Sequence, residues 1–187
     1  MVVLIGGVSH TGKTYLAQQL LERHKIPYLS LDHLKMGLIR GAINCGFTAD
    51  DDDATISTSM WPVVEGIIRT NIENRQHIII EGCYLPPFAV KSLKGEYPQQ
   101  IIECYLGFSE NYVRKNFEKL ILPHRNVVEH RKYPENRSAS DFIEEHLRLK
   151  ELCEVSRLNY FEVDKEHTHT MEEVLNFLNK KIASNLS

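Results

Sequence analysis

Residues Gly7-Val8-Ser9-His10-Thr11-Gly12-Lys13-Thr14 fit the pattern G-x-x-x-x-G-K-[S/T] in full, directly after the apolar run 2–6. Leu16, Leu20 and Leu21 follow at helical spacing. A buried strand, a glycine loop and a helix in that order constrain the chain more than any other feature. Glycines let the backbone curl so that successive N–H groups point at phosphate oxygens, and the helix amino terminus adds partial positive charge. Lys13 is expected to neutralise the β- and γ-phosphates, and the Thr14 hydroxyl to ligate Mg²⁺. The nucleotide-binding segment is therefore expected over Gly7, Val8, Ser9, His10, Thr11, Gly12, Lys13, Thr14 and Tyr15. His10 stands at a variable position of the pattern and is read as tolerated, not catalytic.

Short β-rich runs alternate with longer helical ones, which predicts an α/β fold with a parallel sheet covered on both faces. Strands are expected at 2–6, 28–31, 77–80, 101–106 and 160–163. Helices are expected after the glycine loop, over 33–42, from a Ser59 cap with Pro62 in the first turn, over 109–122 and over 140–158. A last helix is expected from a Thr170/Glu173 capping box. The polar, basic stretch 123–137 lacks periodicity and reads as a lid inserted in one domain spanning 1–187. Ligands of open α/β sheets sit outside the carboxyl ends of the strands. Here those ends carry the glycine loop, Asp32, Glu81, Gly107 and Asp164.

Composition excludes several classes. At 187 residues, with 42% hydrophobic and 25% charged side chains, the chain suits an ordinary core. A formal charge of −3 disfavours a nucleic-acid partner. No apolar stretch approaches the roughly 20 residues that span a membrane, and the amino terminus reads as a first strand, not a signal peptide. Cys45, Cys83, Cys104 and Cys153 form no paired spacing, so reduced thiols and a cytoplasmic location are expected. A guanine-reading N-K-x-D is missing, since Asn179-Lys180-Lys181-Ile182 lacks the Asp, and no transporter-ATPase signature is present.

The chain resembles the P-loop small-molecule kinases of the adenylate kinase type, which include shikimate and gluconate kinases, zeta-toxin-like kinases and 2-phosphoglycerate kinases. The resemblance rests on the phosphate loop, on Ser30-Leu31-Asp32 followed by Arg40, and on Ile78-Ile79-Ile80-Glu81-Gly82. The string 80–86 is most similar to the 2-phosphoglycerate kinases. One departure matters: an adenylate kinase has Asp-Gly-Phe-Pro-Arg where this chain has Glu81-Gly82-Cys83-Tyr84-Leu85, without the arginine that helps bind a nucleotide acceptor. The resemblance implies a three-layer P-loop fold with five parallel strands and a short lid, ATP and Mg²⁺ as cofactors, and a small-molecule acceptor.

Roles follow from both readings. Asp32 would orient or deprotonate the acceptor hydroxyl, or cap the next helix. Glu81, with Gly82 behind it, would hold Mg²⁺ through water or position the acceptor. Arg40 would bind an acidic group of the acceptor or form a surface ion pair. Among the lid arginines Arg125, Arg131 and Arg137, at least one would stabilise the transferring phosphoryl group; Arg125 would alternatively stack on adenine. Residues 50–53 read as a solvated acidic turn, and His167 and His169 as exposed. The leading expectation is an ATP- and Mg²⁺-dependent phosphotransferase. An ATP-binding regulatory module without turnover, or a polynucleotide kinase or nucleic-acid-dependent ATPase, is the alternative; acceptor identity and oligomeric state stay open.

Overall fold

Every residue of β1 (Val2–Gly7) is buried, as a strand at the centre of a sheet covered on both faces requires. The computed structural model describes residues 1–41, 44–124 and 137–186. Around β1 run β2 (Tyr28–Ser30), β3 (Ile78–Gly82), β4 (Ile101–Phe108) and β5 (Tyr160–Val163). All pairings are parallel and the spatial order is β2-β3-β1-β4-β5. All five expected strands are present, with β3 and β4 each running two residues further than the apolar pattern alone suggests.

One core lies on each face. On the first, Val3 and Ile5 pack with Leu16, Ala17 and Leu20 of α1 (Lys13–His24) and with Val174, Leu178 and Ile182 of α8 (His167–Leu186). On the second, Val2 and Leu4 meet Leu31 of α2 (Leu31–Gly41) and Ile56, Met60, Val64 and Ile68 of α3 (Asp53–Glu73). Val90 and Leu93 of α4 (Pro87–Glu96) complete that face. α5 (Glu110–Asn116) is capped by Ser109, whose Oγ accepts from the Tyr112 N–H at 3.0 Å. α7 (Ala139–Ser156) gives Phe142 and Ile143 to the first core and Cys153 to the second.

Four expectations about helices need correction. α3 starts at Asp53, not after Ser59, because the Asp52 carboxylate accepts from the N–H groups of Ala54 and Thr55 at 3.0 and 2.9 Å. That satisfies two otherwise orphan donors, and it leaves Pro62 inside the helix. α8 starts at His167, so Thr170 is buried within it and forms no capping box. The single helix expected over 109–122 is α5, then a π-helical turn Phe117–Ile121, then the short α6 (Leu122–His124). α4, absent from the sequence reading, uses Pro87 in its first turn, where a missing N–H costs nothing. Among the described residues no helix is long and apolar enough to cross a membrane, and all four cysteines are free thiols.

Candidate phosphate-loop site and its cleft

The turn from β1 into α1 is built to meet an anion. Gly12 is the residue before α1, with φ 95°, a left-handed conformation that glycine adopts without strain. It offers no side-chain cap, and the first turn of α1 holds no acidic residue. The helix amino terminus therefore keeps donors and partial positive charge for a ligand. A Cβ at Gly12 would lie 3.1 Å from Met171 Sδ and 3.2 Å from the His167 ring, so α8 braces the loop from behind. His167, expected to be exposed, is half-buried, its Nε2 3.2 Å from the Thr11 carbonyl oxygen.

Within the loop, Thr11 Oγ1 and Lys13 Nζ each donate to the Val8 carbonyl at 2.8 Å. Ser9, Thr11 and Lys13 are buried, Val8, His10 and Thr14 half-buried, and Tyr15 is exposed. His10 stacks on Phe142 at 5.8 Å between centroids. The Lys13 ammonium is thus folded back onto the loop, within its reach of whatever binds the amide cradle.

The carboxylates at the strand ends arrive as the topology dictates. Glu81 is buried in β3, in register with Ile5 of β1 and Ser30 of β2. Alternation along the strand puts it on the face of Ile79, the face that α1 covers. Gly82 lets the start of α2 come close, since a Cβ there would lie 2.7 Å from Leu31 Cβ. That approach sets Asp32 in the first turn of α2, inside the helix and not as its cap. Lys35, one turn on, lies 3.8 Å from Asp32 Oδ1 and donates to the Tyr84 hydroxyl at 2.7 Å. Arg40, at the far end of α2, is exposed and does not face the same space.

Above the loop, Arg137 supplies the basic group. Its guanidinium donates to Ser9 Oγ and to Glu145 Oε2, both at 2.6 Å, and covers the Phe142 ring at 4.7 Å. Arg125 and Arg131 lie outside the described residues, as does most of the expected lid. Gly7 to His10, Asp32, Lys35 and Arg137 line one open cleft of about 930 Å³, walled further by α3, the 83–87 turn and α7.

Two residues in and beneath this cleft were not anticipated. Asp53, in the first turn of α3, faces the cleft. The protein around it raises its carboxyl above the ordinary range; Arg137, Lys35 and Lys13 oppose the rise and the Asp32 charge adds to it. The acidic run 50–53 hides this, because only the helix start decides which of its members turns inward. His146, on α7, is 1% exposed and accepts the Phe108 N–H through Nδ1 at 3.0 Å. Burial, then the charges of Lys13, Arg137 and His10, push its pKa down to about 3, so it stands neutral.

Solved structures share this fold. A gluconokinase from Sinorhizobium meliloti 1021 superposes with a TM-score of 0.57 at 18% identity, covering 99% of this chain and 94% of its own. A shikimate kinase from Acinetobacter baumannii, in complex with shikimate, gives 0.56 at 14% identity, covering 98% and 93%. One from Aquifex aeolicus gives 0.54 at 14%, covering 98% and 99%. This chain has the fold of the P-loop small-molecule kinases. No protein-family model and no curated protein matches it. At these identities the likeness is one of fold, and the chemistry has to be argued from the cleft.

Proposed function

We propose that this chain is an ATP- and Mg²⁺-dependent phosphotransferase that phosphorylates a small-molecule acceptor. The observation that carries the reading is convergence. The first half of the phosphate loop, Gly7 to His10, lines one cleft together with Asp32 and Arg137, and the uncapped α1 amino terminus follows directly on that loop. The fold shared with gluconokinase and shikimate kinases supports it.

The loop amides and Lys13 hold the β- and γ-phosphates of the nucleotide, Lys13 swinging off the Val8 carbonyl to do so. Thr14, half-buried at the start of α1, and Glu81, buried in β3 in register with Ile5 of the strand that leads into the loop, would hold the Mg²⁺ ion, Glu81 through water. When bound, the ion neutralises charge on the β- and γ-oxygens. Asp32 orients the acceptor hydroxyl and takes its proton as the oxygen–phosphorus bond forms and the bond to the departing diphosphate breaks. Arg137, already over the loop, spreads its positive charge across the oxygens of the transferring group. Glu145 and Phe142 aim it. The chain works as one kinase domain over 1–187. Four free thiols suit a cytoplasmic setting.

The test is ATP consumption with Mg²⁺ across hydroxy acids, sugars, nucleosides, nucleoside monophosphates and an oligonucleotide, with Lys13→Ala as control. Stimulation by a small acceptor, lost in the control, supports the reading. ATP binding with no acceptor-dependent turnover contradicts it and favours a nucleotide-sensing module.

A further inference from the structure

Three residues of the phosphate loop have positive φ: Gly7 at 145°, His10 at 68° and Gly12 at 95°. Glycine adopts that region without strain, whereas a residue with a Cβ seldom does. Such a conformation persists where its surroundings over-determine it. For His10 those surroundings are aromatic. Its ring lies nearly parallel to that of Phe142, with 21° between the planes and 5.8 Å between centroids.

Phe142 is fully buried and held from several sides. The His146 ring meets it at 5.2 Å and the Phe117 ring at 5.5 Å, and His146 is bonded through Nδ1 to the Phe108 N–H at the end of β4. Arg137 lies over the same Phe142 ring. It stands one residue before the Ser138 cap of α7, where Ser138 and Asp141 bond each other's N–H reciprocally. Phe142, Glu145 and His146 follow at i, i+3 and i+4. One face of α7 therefore carries the aromatic platform, the anchor of Arg137 and the link to the sheet. Two neighbouring loop residues, Ser9 and His10, thus meet two groups that the start of α7 holds together, Arg137 and Phe142. One contact fixes a distance; two fix an orientation.

We infer that His10 is a positioning residue, whose stack on Phe142 holds the phosphate loop in its left-handed turn and in register with Arg137, so that the loop amides and the guanidinium meet the same phosphate group. The inference rests on the phosphate-binding part of the kinase reading above. Without the ring the loop keeps its glycines and its lysine but loses a contact that selects this turn over others. Aromatic pairs of this geometry contribute beyond the area they bury. A displacement of about 1 Å in a positioning group can cost about 100-fold in rate.

Substitutions at His10 separate this role from mere tolerance of the turn. Asparagine and glycine accept a left-handed backbone but bring no ring; phenylalanine brings a ring and suits the backbone less. The full chain, His10→Asn, His10→Gly and His10→Phe are compared by calorimetric titration with Mg²⁺-ATP. The stack predicts a Kd raised about fivefold in His10→Asn and His10→Gly, within the range an aromatic pair supplies, and His10→Phe regaining most of that loss. It also predicts coupling: the losses from His10→Gly and Arg137→Ala sum to more than the double variant shows. Backbone tolerance alone gives the reverse order, with asparagine and glycine best. His10→Phe binding no better than His10→Asn, or losses that add in full, overturns the inference and leaves the kinase reading standing. The predicted order and coupling without acceptor-dependent turnover in the parent chain sustain the inference while the kinase reading falls. A parent chain that does not bind Mg²⁺-ATP overturns both.

Discussion

The guanidinium of Arg137 donates to Ser9 Oγ at 2.6 Å, joining two residues 128 positions apart across the phosphate loop. A second bond to Glu145 and the face of Phe142 hold it there. In the proposed reaction an arginine so placed would meet a nucleotide's terminal phosphate without rearranging the fold. Arg137→Ala is expected to lower kcat about 100-fold, the usual loss when a preorganised donor to developing charge is removed. Its ion pair with Glu145 is partly exposed and contributes little to stability. The melting temperature should therefore barely move, and kcat with Tm, measured together, checks both halves.

Asp53 predicts a small change of stability with pH. Its side chain is reached by solvent at the cleft mouth, yet the surrounding walls shield it enough to hold its folded carboxyl above the ordinary 3.8. Between the unfolded and folded values the folded state binds more protons than the unfolded one, so stability falls as pH rises through that window. Asp53→Asn removes the penalty. Because solvent screens an exposed carboxylate, the variant should be only slightly more stable than the parent at pH 7, and the two should converge below the ordinary carboxylate range. Urea midpoints at pH 7 and pH 3.5 measure this.

His146 carries the opposite slope. Its folded pKa is about 3 against an ordinary 6.5. Over that interval the unfolded chain binds a proton that the folded chain refuses, so stability rises with pH there and is lost on acidification. His146→Gln keeps an acceptor for the Phe108 N–H and deletes the titration. Its urea midpoint should vary less between pH 7 and pH 4 than the parent's; parallel curves would remove His146 as the source.

Much of this was legible in the sequence, for reasons that differ by residue. The β1–loop–α1 unit is contiguous, so its spacing alone specifies it. Asp32 and Glu81 are marked because a parallel sheet sends its strand ends to one side. Asp53 was hidden by its acidic neighbours, and by Pro62, which suggested a later start to α3. The Asp52 side chain, bonded to Ala54 and Thr55, decides that start, and no propensity announces it. Arg137 could not be ranked above Arg125 and Arg131, since its contact with Ser9 is purely tertiary. Arg40, which the sequence pairs with Asp32, is exposed instead, because eight residues turn a helix about 80° past the same face. The short α4 buries only Pro87, Val90 and Leu93 and leaves Phe88 exposed, too little to show a period.

If this loop serves catalysis, the terminal phosphate of ATP passes to a small molecule there. Labelled γ-phosphate followed into product, for the parent chain and for Lys13→Ala, tests it most directly. Mg²⁺-dependent label is expected in an acceptor with the parent chain, and a loss of at least 1,000-fold in the variant, on the order of removing a principal phosphate-binding charge. The variant should unfold at nearly the parent's temperature. Equal labelling by Lys13→Ala, or label released only as inorganic phosphate whatever acceptor is present, would contradict it.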